Sequence, residues 1–179
     1  MNTTADAFNV KNKFNKEIIF ALYYNKANDT GHGYWYSTTK PEEAQLTQPA
    51  PVFRALYDAR DNRLPLISEY TEDKKGTYLL NKWFDNRNDA LKGNVVENDF
   101  PHLRYADVVL MYAEALAESG SSLGDALVWL NKTRTRAGLD ALKPEDIPSK
   151  GAFIEALADE RGREFALEGH RWFDLVRLG

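Results

Sequence analysis

The chain has 179 residues, 23 Lys+Arg against 27 Asp+Glu, 43% hydrophobic residues and no cysteine. That size and composition suit one globular domain with its own core and exclude disordered, collagen-like and disulfide-dense classes. A formal charge of -4 excludes a bulk electrostatic grip on polynucleotide, and zero cysteine excludes disulfides, Cys-based zinc sites, thiol catalysis and lipidation on a cysteine of this sequence.

In chain order, the N-terminus Met1-Asn2-Thr3-Thr4-Ala5-Asp6 has neither a basic start nor an apolar stretch, so it does not read as a secretory signal. Glu17 to Asn25 (EIIFALYYN) is rich in branched and aromatic residues and predicts a strand or a buried extended segment. Residues 1 to 100 hold 12 of the 13 asparagines, 15 of the 22 aromatics and prolines 41, 49, 51 and 65, which predicts a loop-rich part laid over a helical scaffold. Residues 101 to 179 contain 11 alanines with dense leucine, glutamate and arginine, a composition of good helix formers.

Pro101 suits a helix start, and Ala106, Leu110, Ala113 and Leu116 fall at helical spacing over Arg104 to Ser119, with Gly120 ending the run. A second helix is predicted from Leu123 to Ala137, carrying Leu123, Leu127, Leu130 and Arg134 on one stripe. Gly138 would be its left-handed cap and Leu139 the hydrophobic follower. About four residues join these helices, so they should pack as an antiparallel pair. Ser149 caps a third helix with Phe153, Leu157, Arg161 and Phe165 or Glu164 on one face, Gly169 kinks or ends it, and His170 to Leu178 forms a short fourth. The longest apolar run, Val108 to Ala113, falls far short of the ~20 residues of a spanning helix.

Three stretches, RYADVVLMYAEAL (Arg104 to Leu116), ALVWLNKTRTRAGL (Ala126 to Leu139) and ERGREFALEGHRWFDLVRLG (Glu160 to Gly179), resemble in order and spacing the C-terminal region of the SusD/RagB family. EIIFALYYN and LYDARDNRLPL (Leu56 to Leu66) are weaker echoes of the same family. The resemblance implies a mainly α fold of tetratricopeptide-like antiparallel helix pairs, with loop-rich, aromatic-rich additions and little strand, over 1–179 as one domain. It further implies a lipid-anchored outer-membrane protein of Bacteroidetes that binds glycans without catalysis and passes oligosaccharide to a SusC-like TonB-dependent transporter. Members of the family begin with a lipoprotein signal and cysteine and carry a large N-terminal helical part, so this sequence reads as a portion of such a protein.

Gly31 to Thr38 (GHGYWYST) is the sharpest candidate site. Sugar rings stack their C–H faces on aromatic rings, and Tyr34, Trp35 and Tyr36 would supply such a platform with His32 and Ser37 as polar neighbours. The alternative is that one or two of these rings plug a hydrophobic gap, although three consecutive rings cannot all point inward from an extended strand. Glu160, Glu164, Glu168 and Asp174 offer paired acids for glycoside hydrolysis, but Arg161, Arg163, Arg171 and Arg177 lie at ion-pair spacing, such as Glu160 with Arg163 and Glu164 with Arg171. Asp107 and Glu114 share a helix face and should meet basic side chains such as Arg104, Arg134 or Arg136. Asp58, Asp61 and Asn62 lack calcium-loop spacing and read as a solvated turn. His32, His102 and His170 are scattered, and neither a metal nor a cofactor is expected. Beside glycan capture stand a helical-repeat surface for a protein segment and, further off, a glycosidase.

Overall fold

The computed structural model describes residues 3–25, 50–67, 69–71, 77–79, 82–83 and 97–178. Its scaffold is helical because the second half sets small and aliphatic residues at helical spacing between strong stop signals. After a 3-10 turn at Thr4–Phe8 come β1 (Ile18–Leu22), the short helices α1 (Pro51–Arg54) and α2 (Leu64–Ile67), then β2 (Glu69–Thr71), β3 (Thr77–Leu79) and β4 (Phe100–Arg104). Four helices follow: α3 (Tyr105–Glu118), α4 (Leu123–Arg136), α5 (Lys150–Glu164) and α6 (Arg171–Leu178).

Ala106, Leu110, Ala113 and Ala117 line the buried stripe of α3, and their small side chains let Ala126, Leu127 and Leu130 of α4 approach closely. Phe153 and Leu157 of α5 close the core from the third side, joined by Ile147 and Phe165. Ser149 caps α5 as expected, accepting from the Ala152 amide at 3.2 Å, and Ser122 caps α4 in the same way, accepting from the Asp125 amide at 3.1 Å. Gly138 has φ +81°, and behind it the Leu139 amide donates to the Arg134 carbonyl at 3.0 Å while its own amide donates to Thr135 at 3.1 Å. That is the Schellman pattern the Gly138-Leu139 pair predicts, and it turns the chain sharply off α4.

Three details differ from expectation. Pro101 does not start a helix but lies in β4, opposite Ala21, where a two-stranded ribbon tolerates the missing amide. β1 forms, antiparallel to β4 with Ile18 opposite Arg104, but it is not buried: Ile19, Phe20 and Leu22 are exposed. Lastly, α5 ends at Glu164, before Gly169, with Leu167 at φ +65° inside the turn that follows. Among the described residues, no helix is long and apolar enough to cross a membrane.

A second cluster sits below the ribbon, where Trp83, fully buried, packs edge-on against Phe8 at 5.0 Å and face-on against Phe100 at 5.3 Å. Leu130→Ala, at the fully buried centre of the helical core, should cost about 3 kcal/mol in urea unfolding. Val128→Ala, on the exposed side of the same helix, should stay within about 0.5 kcal/mol.

Candidate functional site

The chemistry-bearing residues of the described chain gather around one buried carboxylate, Glu164 at the end of α5. Its Oε1 accepts from Arg104 Nη1 at 2.6 Å and from Arg136 Nη2, and its Oε2 accepts from Arg63 Nη1 at 3.0 Å. Arg63 forks onto Asp61 through Nε at 2.9 Å and Nη2 at 2.8 Å, and also reaches Glu160 at 2.7 Å. Arg104 forks onto Glu168 at 2.7 and 2.8 Å and touches Glu17 at 3.0 Å, while Lys82 donates to Glu168 at 2.5 Å. Bidentate guanidinium–carboxylate pairs of this kind are the geometry that makes burying charge tolerable.

The sequence places these partners far apart and the fold brings them together. Asn62 is the local reason: its amide donates to the Ala137 carbonyl at 2.9 Å and its side chain to Arg136 at 2.8 Å, satisfying the end of α4. That contact seats Arg63 at the centre of the network. The segment expected to be a solvated turn is therefore partly internal, with Asp61 only 1% exposed, because its carboxylate is the neutralising partner of a buried arginine.

Burial alone would push the Glu164 carboxyl up, but Arg104, Arg136 and Arg63 outweigh it and hold it well below the usual carboxylate range. Glu168 is likewise pushed up by burial and pulled down further by Arg104 and Lys82. Burial lowers the Lys82 ammonium to about 8 despite its contact with Glu168. A glycosidase acid needs a raised pKa to hold a proton near neutrality. Glu164 and Glu168 are set the opposite way, and Glu160 and Asp174 are buried against arginines.

The remaining acids also find partners other than those expected. Asp107 and Glu114 do not meet Arg104, Arg134 or Arg136; Asp107 accepts from Arg161 Nη1 of α5 at 2.7 Å, and Glu114 pairs with Arg177 of α6. Arg161 Nε is also shared between the two carboxylate oxygens of Asp174, each at 2.9 Å, so two arginines tie the last helices to α3. Glu160 does face Arg163 at 3.5 Å, but Arg171 turns to the Ala158 carbonyl at 2.7 Å and leaves Glu164 to the network. Tyr34, Trp35, Tyr36 and His32 lie outside the described residues. Sequence reading missed Arg63 and Lys82 as scaffold residues; the one signal for Arg63 was its place in LYDARDNRLPL (Leu56 to Leu66), where Asp-x-Arg occurs twice.

Stacked helix pairs held together by an internal ion network define the described part of this molecule as a helical scaffold. The SusD family profile matches residues 62–179, and the chain belongs to that family. It is 36% identical over 101 residues to the starch-binding protein SusD of Bacteroides thetaiotaomicron, covering 55% of this chain and 17% of that protein. It is 35% identical over 92 residues to SusD-like protein P2 of Formosa agariphila, covering 48% of this chain and 18% of that one. Among solved structures, surface glycan-binding protein A from Bacteroides uniformis superposes with a TM-score of 0.75 at 24% identity, covering 99% of this chain and 40% of the other. Its namesake from Bacteroides thetaiotaomicron in complex with laminarihexaose gives 0.75 at 20% identity, covering 99% and 46%. The chain thus spans less than half the length of these solved relatives.

Glu164 and Glu168 set the acid limit of stability. Their folded pKa values lie below the ordinary 4.5, so the stability they contribute is complete above that value and is lost as pH falls beneath it. The thermal midpoint should therefore drop between about pH 5 and pH 2. Glu164→Gln should flatten that drop and cost about 3–5 kcal/mol at neutral pH, because it removes the one anion that three arginines share and leaves part of their buried charge uncompensated.

Proposed function

We propose that this chain belongs to a cell-surface protein of the outer membrane that captures oligosaccharides and delivers them, uncleaved, to a SusC-like TonB-dependent transporter. Membership of the SusD family carries this reading, since a curated relative is a starch-binding protein and a structural relative was solved with laminarihexaose. The pairing of Glu160, Glu164, Glu168 and Asp174 with buried arginines supports capture without hydrolysis. Membrane attachment would come from a lipid anchor, for which this sequence has no cysteine.

On sequence chemistry, Tyr34, Trp35 and Tyr36 are the stacking platform and His32 a hydrogen-bonding neighbour. Each stacked ring contributes modestly, so affinity should be weak enough for release to the transporter. The rival reading, a helix-pair surface for a protein segment, has one observation behind it: Trp172, Phe173 and Val176 of α6 are 71%, 70% and 66% exposed.

Isothermal titration with malto- and laminari-oligosaccharides tests the proposal. Trp35→Ala should weaken binding about tenfold, the loss of one ring contact. Unchanged affinity in Trp35→Ala removes the platform; release of reducing sugar by the wild-type protein removes the binding-only mechanism.

A further inference from the structure

Where the residues leading into β1 pass the first turn of α3 and the last turns of α4, they leave a cleft of about 250 Å³. Lys16, Glu17, Tyr105, Val109, Lys132 and Arg136 line it. The volume is below the about 300–1,000 Å³ of pockets for drug-sized ligands and suits a single sugar ring.

The charge of this cleft is out of character with the rest of the chain. One carboxylate faces three cations, in a protein whose net charge is -4. That carboxylate is already committed: Glu17 Oε1 accepts from Arg104 at 3.0 Å and from the Ala106 amide at 3.1 Å, and its Oε2 lies 3.4 Å from Arg136. Lys16 makes no ion pair or hydrogen bond among the described residues, and its side chain is exposed. The Lys132 ammonium rests 3.3 Å from the centroid of the Trp129 ring, with no anion against it among the described residues. Arg136 gives both terminal nitrogens to Glu17 and Glu164 and keeps a buried Nε with no hydrogen-bond partner.

The buried Nε lies out of a ligand's reach, so Arg136 contributes through its guanidinium charge and Lys16 supplies the free donor. Positive charge held on walls of low polarity draws anions more strongly than the same charge on an open surface. At the lip, Tyr105 is 50% exposed and offers its ring, while Ala106 and Val109 form an apolar floor. The cleft thus combines an anion seat, an aromatic wall and room for one ring.

We infer that this cleft binds an anionic saccharide unit, a ring bearing a carboxylate or a sulfate ester, with its anionic group at Lys16 and Arg136 and its ring against Tyr105. The inference rests on the glycan-capture reading and names its ligand class: acidic glycans. Lys132 adds to the attracting field from its place over Trp129.

Titration calorimetry with trigalacturonate, a sulfated carrageenan disaccharide, maltotriose and laminarihexaose tests it, at low and at high salt. At least one anionic probe should bind more tightly than both neutral ones, and more weakly as salt rises. The carboxylated and sulfated arms tell the two anions apart. Lys16→Ala should weaken that binding about tenfold and Lys132→Ala about threefold, and Lys16→Arg should restore it. Both lysines are exposed, so the thermal midpoint should not move and a lost signal is not lost folding. Tight binding of neutral sugars only, unaffected by the lysine variants, overturns the acidic cleft and leaves glycan capture standing. No binding of any probe overturns both.

Discussion

The structure depends on how a fully buried carboxylate, Glu164, is kept charged. Three guanidiniums from three separate parts of the chain converge on it, from the segment before α2, the end of β4 and the end of α4. None of them alone would offset the desolvation of a carboxylate, which costs several kcal/mol even after relaxation. Together they place an anion at the meeting point of the ribbon, the first-half segment and the helix pairs. The apolar core holds the helices to one another; the ions decide what else may sit against them.

That division of labour explains the composition of α5. Its first turns contribute Phe153 and Leu157 to the apolar core, and its last turns contribute Glu160, Arg161 and Glu164, all buried. Hydrophobic burial is tolerant of small shifts, whereas charge-assisted hydrogen bonds between guanidinium and carboxylate fix distance and direction. Such a helix can be packed at one end and registered at the other. Tyr57 adds to the registration: its hydroxyl donates to the Arg163 carbonyl at 2.9 Å, in surroundings dry enough to push its pKa up strongly.

The helices were legible in the sequence because their causes are local. Ser149, Gly120 and Gly138 mark boundaries through their own backbone and side-chain chemistry, and the alanine–leucine stripe marks a face. Charge pairing was legible only as a need: α5 carries too many acids and bases to be left unpaired, but spacing along one helix names neighbours one turn away. The observed partners of Glu164 and Asp107 come from other elements, and nothing local encodes that Arg63 lies beside a residue 101 positions later. Asp61 illustrates the same limit, since a solvated turn and a buried ion pair have the same local sequence. The acidic-sugar cleft was hidden for a related reason: Lys16 and Arg136 become neighbours only when the approach to β1 meets the end of α4.

Long-range ion pairing also governs the order in which this molecule can assemble. The bonds from Arg63 span 97 and 101 residues and those from Arg104 to Glu164 and Glu168 span 60 and 64. Closing such loops costs entropy before any contact repays it, and a half-built charge cluster is worse than none because its unpaired members are already losing water. The helical core closes shorter loops, and its apolar contacts strand no charge, so it can condense first. Docking of the segment around Arg63 gains most when Glu160 and Glu164 are already in place, so the network favours a correctly formed set of helices.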